Sequence, residues 1–420
     1  MNRETIHKKI AYLFLIVLVV AISFSPRLSL GLISGRRNID IRAEDMVLGV
    51  GLLVLLCSAF ILRKRQFKTP PLFWPVAAWL ALGFFSILVN LILFNTTPEI
   101  SFFYFLKEVE FFLLYFLVFY LTSKFDLVKP LLTWWFICAM GNLLWLAYVF
   151  IYNVKWSIYY GPETFMEPQG PFPSGGFFLM LCIFFFNLFI FYYSKLPIAP
   201  FKKILLFMLC LLPAAGVISS GSRTAVIGLF AALVISSGLY FFDRVSLVRL
   251  IKAVALLILL VIILLGVINV TDQASRVLFN KRFVWEYTSN SSDARLGILK
   301  NNVSLIANNL PNMIIGYGVK GEQHSQYMRV ILERGFAGLL LFAFLIFSLF
   351  KISYRGFGDK ENPFKRALSA GLWVSTFTML IMAVPNDVFM VVKVDEVYWF
   401  FAALTMAVII NSQKSPKTHV

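Results

Sequence analysis

Residues 245–270 read VSLVRLIKAVALLILLVIILLGVINV. The run holds no acidic residue and exceeds the ~20 apolar residues that a helix needs to cross the hydrocarbon core of a bilayer. Working outward from it, comparable runs recur near 10–24, 46–62, 72–94, 102–121, 131–152, 174–193, 204–219, 224–242, 336–350, 367–384 and 397–411. With 247–270 as the ninth, this predicts an all-α, polytopic membrane helix bundle of about 12 transmembrane helices. Composition agrees. The chain has 420 residues, 60% hydrophobic and 14% charged, with mean hydropathy +0.81 and 45 phenylalanines. No water-soluble fold of this size buries so much apolar surface, and a soluble enzyme with one anchor is excluded. The expected organisation is a single membrane domain, 1–420, with one long extracytoplasmic loop at 271–334 between the ninth and tenth spans.

The formal charge of +17 would suggest nucleic acid in a soluble protein. Here it follows topology instead, and no nucleic-acid partner is expected. An even number of spans puts both termini on one side. With the N-terminus inside, the cytoplasmic segments hold 22 Lys and Arg against 7 in the short outer loops, with 8 in 271–334 and Lys107 within a helix. The positive-inside rule therefore places both ends in the cytoplasm. Basic residues up to Lys9 and an apolar stretch from Ile10 to Phe24 resemble a signal peptide, but no small-x-small cleavage site follows, so a retained first helix is expected. Cys57, Cys138, Cys182 and Cys210 all lie inside apolar runs and suggest neither a disulfide framework nor a zinc motif.

Within the long loop, Leu296, Leu299, Val303, Ile306 and Leu310 recur at spacings of 3 and 4, with Ser292 or Asp293 as N-cap and Pro311 beyond the end. That pattern predicts one amphipathic helix lying on the membrane or on the bundle. Three outward positions offer chemistry. Ser219-Ser220-Gly221-Ser222-Arg223-Thr224-Ala225 is a small polar turn with Arg223 opening the next helix. Backbone amides at a helix start, small hydroxyls such as that of Ser222 and a guanidinium form a phosphate cradle. The same turn also suits an arginine snorkelling at the lipid boundary. Arg295, in Ser292-Asp293-Ala294-Arg295-Leu296, sits in a first helical turn, where a cation needs an anion or a carboxylate such as Asp293 beside it. His324, in Gly321-Glu322-Gln323-His324-Ser325-Gln326-Tyr327, is the only outer histidine. A helix start keeps its ring neutral, as a general base requires, although a histidine at a loop–helix junction also serves purely structural ends.

These motifs stand in a particular order. A Ser-Arg-Thr-Ala turn (222–225), Asp-Ala-Arg-Leu (293–296), Gly-Tyr-Gly (316–318), a histidine followed by Gln326-Tyr327, and Glu-Arg-Gly (333–335) before an apolar run follow one another, and Asp40-Ile41-Arg42 with Glu44-Asp45 precedes the second span. In this order the chain resembles the O-antigen ligase and polysaccharide polymerase superfamily of integral membrane glycosyltransferases. The resemblance implies a donor glycan on undecaprenyl diphosphate, presented at the outer face of the inner membrane. It implies transfer of that glycan to an acceptor sugar hydroxyl without metal or cofactor. Arg223 and Arg295 would hold the diphosphate, His324 would act as base, and Ser222 and Tyr327 would support them. The acceptor is a lipid A core sugar for a ligase or a second lipid-linked glycan for a polymerase, and the sequence does not choose. The outer loops offer no Asp-x-Asp pair, and Asp293 and Glu322 each stand alone, a poor metal site.

A transporter or flippase of lipid-linked oligosaccharide is the rival from another class. Such proteins place ionisable groups or broken helices near the bilayer midplane. The apolar runs here offer mainly Asn90, Asn142 and Asn187, with Lys107, Glu108 and Glu110 toward one end of a span. The histidine and the arginines gather outside, which favours an enzyme.

Overall fold

The computed structural model describes residues 3–24, 27–33, 37–61, 69–94, 98–151, 171–220, 222–242, 297, 300–301, 304, 310–318 and 325–412. Backbone polar groups in lipid must be satisfied within the segment, so apolar runs of spanning length become helices. In chain order these are α1 (Arg3–Phe24), α2 (Ala43–Ile61), α3 (Phe73–Phe94), α4 (Pro98–Phe125), α5 (Val128–Ile151), α6 (Pro171–Phe191), α7 (Pro200–Ser219) and α8 (Arg223–Phe242). They continue with the short α9 (Leu310–Ile315), then α10 (Gln326–Phe357), α11 (Pro363–Met382) and α12 (Val392–Ser412). Eleven of the twelve apolar runs coincide with helices; the ninth, 247–270, lies outside the described residues. By length and composition, six segments suffice to cross a membrane: Thr5–Phe24, Phe73–Ile92, Gly175–Lys195, Pro200–Ile218, Gln326–Phe357 and Val392–Ser412. The chain is an integral membrane protein.

The helical reading holds for the bundle, and one antiparallel hairpin joins α1 to α2. Its strands, β1 (Arg27–Ile33) and β2 (Arg37–Arg42), pair Arg27 with Arg42 and Ile33 with Arg37, with an irregularity between Ser29 and Leu32. Of the amphipathic helix expected after Ser292, the described positions Gly297, Lys300, Asn301 and Ser304 are helical and exposed. Their spacing is that of one helix face. The apolar positions of the expected stripe lie outside the described side chains.

Two helices form the middle of the bundle. Both Gly175–Lys195 and Val392–Ser412 are 83% buried, against 22% for Pro200–Ile218, so α6 and α12 are enclosed by protein while α7 shows most of its surface to the surroundings. Around α6 lie α5, α7, α8 and α11; α12 contacts α6, α4, α11, α10 and α1. The many phenylalanines fill this centre. Phe184 of α6 stacks on Phe401 of α12 with centroids 4.2 Å apart, and Trp135 of α5 meets Phe400 edge-on at 5.2 Å. Such offset and edge contacts add about 0.5–1.5 kcal/mol each beyond area burial.

The three amides of the apolar runs tie elements together. Asn187 donates to the Ser236 hydroxyl at 3.0 Å, Asn142 to the Ser23 carbonyl at 3.3 Å, and Asn90 to the Gly316 carbonyl at 3.1 Å. Each also bonds its own helix four residues back. Interhelical bonds of this kind are worth about 0.6 kcal/mol apiece. At the far end of the bundle, Asn362 caps α11 by accepting from the Lys365 amide at 3.0 Å, ahead of Pro363 in the first turn.

Candidate functional site

One end of the bundle gathers the 220–222 turn, the start of α10, and the 383–391 segment between α11 and α12. The turn is built from its own serines. Ser220 Oγ donates to the Val217 carbonyl at 2.6 Å and accepts from the Ser222 amide at 3.3 Å, while Ser222 Oγ accepts from the Ala225 amide at 3.3 Å. Ser222 is thus the N-cap of α8, and Arg223 is its first residue. Both serines are buried. As the cap, Ser222 fixes where the helix opens.

Asn386 links this turn to α10. Its Nδ2 donates to Thr224 Oγ1 at 2.8 Å, and its carbonyl accepts from the Gln326 amide at 3.2 Å. The Gln326 amide also donates to the Ala383 carbonyl at 3.0 Å. The residue after Arg223 and the second residue after His324 therefore meet at Asn386, which lies 162 positions beyond the first and 60 beyond the second. The Arg223 side chain, Arg295 and His324 lie outside what is described. Tyr327 is described and half-buried. Its hydroxyl donates to the Leu380 carbonyl at 2.9 Å, so it fastens α10 to α11.

Beneath the loop lies a layer of buried charge that the sequence reading did not assign. Arg329 donates through Nε to Glu333 Oε1 at 2.8 Å and through Nη1 to Asp387 Oδ2 at 2.9 Å, and its guanidinium lies 5.1 Å from the Tyr104 ring centroid. Arg334 meets Glu108 of α4 as a two-pronged pair, Nη1 to Oε1 at 3.1 Å and Nη2 to Oε2, and stacks over Trp79 of α3 at 4.0 Å. Arg329, Glu333 and Arg334 are each at most 2% exposed. Planar guanidinium suits both tasks, forked pairing and ring stacking. Toward the hairpin, Lys107 binds Asp45 and Glu110, each at 2.8 Å. Burial pushes the Asp45 carboxyl up, but hydrogen bonding with Glu110, the Lys107 ammonium and the Arg42 amide outweigh it and hold it below the usual carboxylate range.

The Gly-Tyr-Gly and Glu-Arg-Gly motifs turn out to be two halves of one lock. Gly335 has φ +63° and ψ −165° inside α10, and a side chain there would run into the Ile314 carbonyl. Gly316 has φ +79°, and a side chain there would strike the backbone of Glu333 and Arg334. Both conformations belong to glycine. Across this contact the Tyr317 amide donates to the Leu332 carbonyl at 2.6 Å, and Ser86 of α3 donates to both the Glu333 and Ile315 carbonyls, at 2.7 and 2.8 Å. The kink explains why α10 starts ten residues before the expected tenth span at 336. Charges at 329, 333 and 334 read as loop in the sequence, yet each is neutralised by a partner within the bundle.

Fold and site together define a polytopic membrane protein with a polar, charge-supported platform at one end of its helices. Residues 205–343 match the family described as O-antigen ligase, in line with the superfamily that the order of the motifs resembles. The matched third of the chain runs from α7 into α10 and includes Arg223, Arg295, His324 and both halves of the glycine lock. Members of this family are glycosyltransferase-like enzymes, and the family implies lipid-linked glycan substrates in a membrane. No curated protein matches the chain.

Proposed function

We propose that this protein moves a glycan from undecaprenyl diphosphate to an acceptor sugar hydroxyl at the outer face of the inner membrane, in cell-surface polysaccharide biosynthesis. Both chain ends are cytoplasmic in this reading. The observation that carries it is the convergence of Thr224 and Gln326, neighbours of Arg223 and His324, on the Asn386 loop within the O-antigen ligase match. Breaking the anomeric bond leaves a lipid diphosphate whose growing charge needs stabilising. Arg223, at the first turn of α8 where amides already favour anions, and Arg295 supply it. A neutral His324 takes the acceptor proton as its oxygen attacks the anomeric carbon, which inverts the configuration if displacement is direct. The acceptor is a lipid A core sugar or a second lipid-linked glycan. Incubating the purified protein with undecaprenyl diphosphate glycans, with and without a core acceptor, distinguishes ligase from polymerase by product size.

Lys107, Glu108 and Glu110 lie near the middle of α4, a placement that suits a transporter, but the other buried charges are placed differently. Asp395 and Glu396 lie in the first turns of α12, and Arg329 to Arg334 in the first turns of α10, toward one end rather than midway. Asn90, Asn142 and Asn187 are committed to bonds between elements.

Two outcomes are expected from this mechanism. Arg223→Lys and Arg295→Lys keep the charge and lose the bidentate fork, so each lowers turnover more than donor affinity. Steady-state kinetics on detergent-purified variants measure the split; full activity in both variants removes the shared diphosphate site. Chelation with EDTA leaves turnover unchanged when assayed well below the melting temperature, since arginines carry the diphosphate charge. Loss of transfer that magnesium or manganese restores contradicts the arginine-only mechanism.

A further inference from the structure

Where the hairpin enters α2, acidic groups from three elements meet. Glu44 and Asp45 open α2, Glu110 comes from the middle of α4, and Glu396 from the first turns of α12. One carboxylate oxygen from each of Glu44, Asp45 and Glu396 falls within 4.8 Å of the others. Glu44, Glu110 and Glu396 also line a water-sized cavity whose remaining walls are apolar, among them Leu18, Leu48 and Phe111. Independently of this spacing, Glu396 is 2% exposed and its Oε2 has no hydrogen-bond partner. A buried carboxylate oxygen facing a small void without a donor is costly unless something positive sits there.

Charge points the same way. Among the described residues, Arg42 stands 3.8 Å from Glu44, and Lys107 is shared by Asp45 and Glu110. Among the described ion pairs of this cluster none reaches Glu396.

We infer that Glu44, Asp45 and Glu396 hold a calcium ion that staples the base of the hairpin to α12. All-oxygen, carboxylate donors suit a hard cation. Calcium bonds of about 2.3–2.6 Å let oxygens on opposite sides of the ion stand about 4.6–5.2 Å apart, whereas magnesium at about 2.0–2.1 Å draws them to about 4.2 Å. Oxygens within 4.8 Å of one another fit calcium's irregular shell, and magnesium, which keeps several of its waters, suits a small space walled largely by apolar side chains less well. Asp45 already accepts from Lys107 and the Arg42 amide and retains lone-pair capacity for the ion. The ion has no part in the transfer reaction; its place is structural, beside the hairpin.

The test uses the full chain, purified in detergent and stripped with EDTA. Calcium titration followed by calorimetry, with thermal unfolding in parallel, is expected to show one saturable site per chain and a rise in Tm, with magnesium weaker by about tenfold or more. Glu396→Gln is expected to remove the binding and the Tm rise. Because that variant also relieves repulsion, its calcium-free Tm should equal or exceed that of the stripped wild type, which separates lost binding from lost folding. Asp45→Asn serves as the second probe at the opposite wall. Absence of saturable calcium binding by the wild type, or unchanged binding in both Glu396→Gln and Asp45→Asn, overturns the site and leaves protons on the carboxyls as the compensating charge.

Discussion

His324→Ala is expected to lower glycan transfer by roughly 10²- to 10⁴-fold, the range for loss of a general base, without changing the thermal stability of the purified protein. The structural ground for separating activity from stability is what surrounds position 324. Ser325 and Gln326 are tied to Ala383 and Asn386 by Ser325 Oγ and the Gln326 amide, and Tyr327 to Leu380, so the start of α10 is anchored by residues other than the histidine. A neutral imidazole is the active form. Transfer should therefore fall on acidification, and that limb should vanish from whatever activity the variant retains. Near-normal turnover in pure His324→Ala protein would remove the assignment.

The second large effect is on stability. Glu108→Ala leaves Arg334 buried over Trp79 with its forked partner gone, and breaking a buried ion pair from one side costs about 3–5 kcal/mol. Glu333 stands 4.0 Å from Arg334 but is held by Arg329 at 2.8 Å, so it compensates only in part. Thermal unfolding in detergent should show a marked drop in Tm. Replacing both partners with apolar residues, Glu108→Leu with Arg334→Met, should recover much of the loss, since no lone buried charge remains. An unchanged Tm in Glu108→Ala would mean that the pair does not hold α4 to α10.

The helices were legible because spanning length and hydrophobicity are properties of contiguous residues. Their ends were less so. The span expected at 336–350 is the interior of Gln326–Phe357, since Arg329, Glu333 and Arg334 look like loop residues until Glu108, 226 positions from Arg334, is seen beside them. The hairpin escaped notice for a related reason. Its arginines, at 27, 37 and 42, count as topology signals in a membrane sequence, and the pairing of Arg27 with Arg42 depends on a register the one-dimensional pattern does not display. At the site, Ser222 as a helix start was readable from a local cap, while Asn386 was not: it carries no motif, and its importance comes from touching Thr224 and Gln326 at once. Gly316 and Gly335 were visible as motif letters, but only the fold shows that each clears space for the other's backbone.

The enclosure of α12 also bears on how the protein is made. Helices emerge in chain order during synthesis, and Val392–Ser412 comes after every other described helix, yet it occupies the centre against α4 and α6. It is also the least apolar of the six spanning segments, with mean hydropathy 1.4 against 2.0–2.2 for the rest, and it carries Asp395 and Glu396 near its start. Its earlier neighbours must wait in the membrane with their inner faces uncovered until it arrives. Assembly of the described helices is therefore completed from the inside, and a ribosome stalled before residue 392 would leave them without their axle.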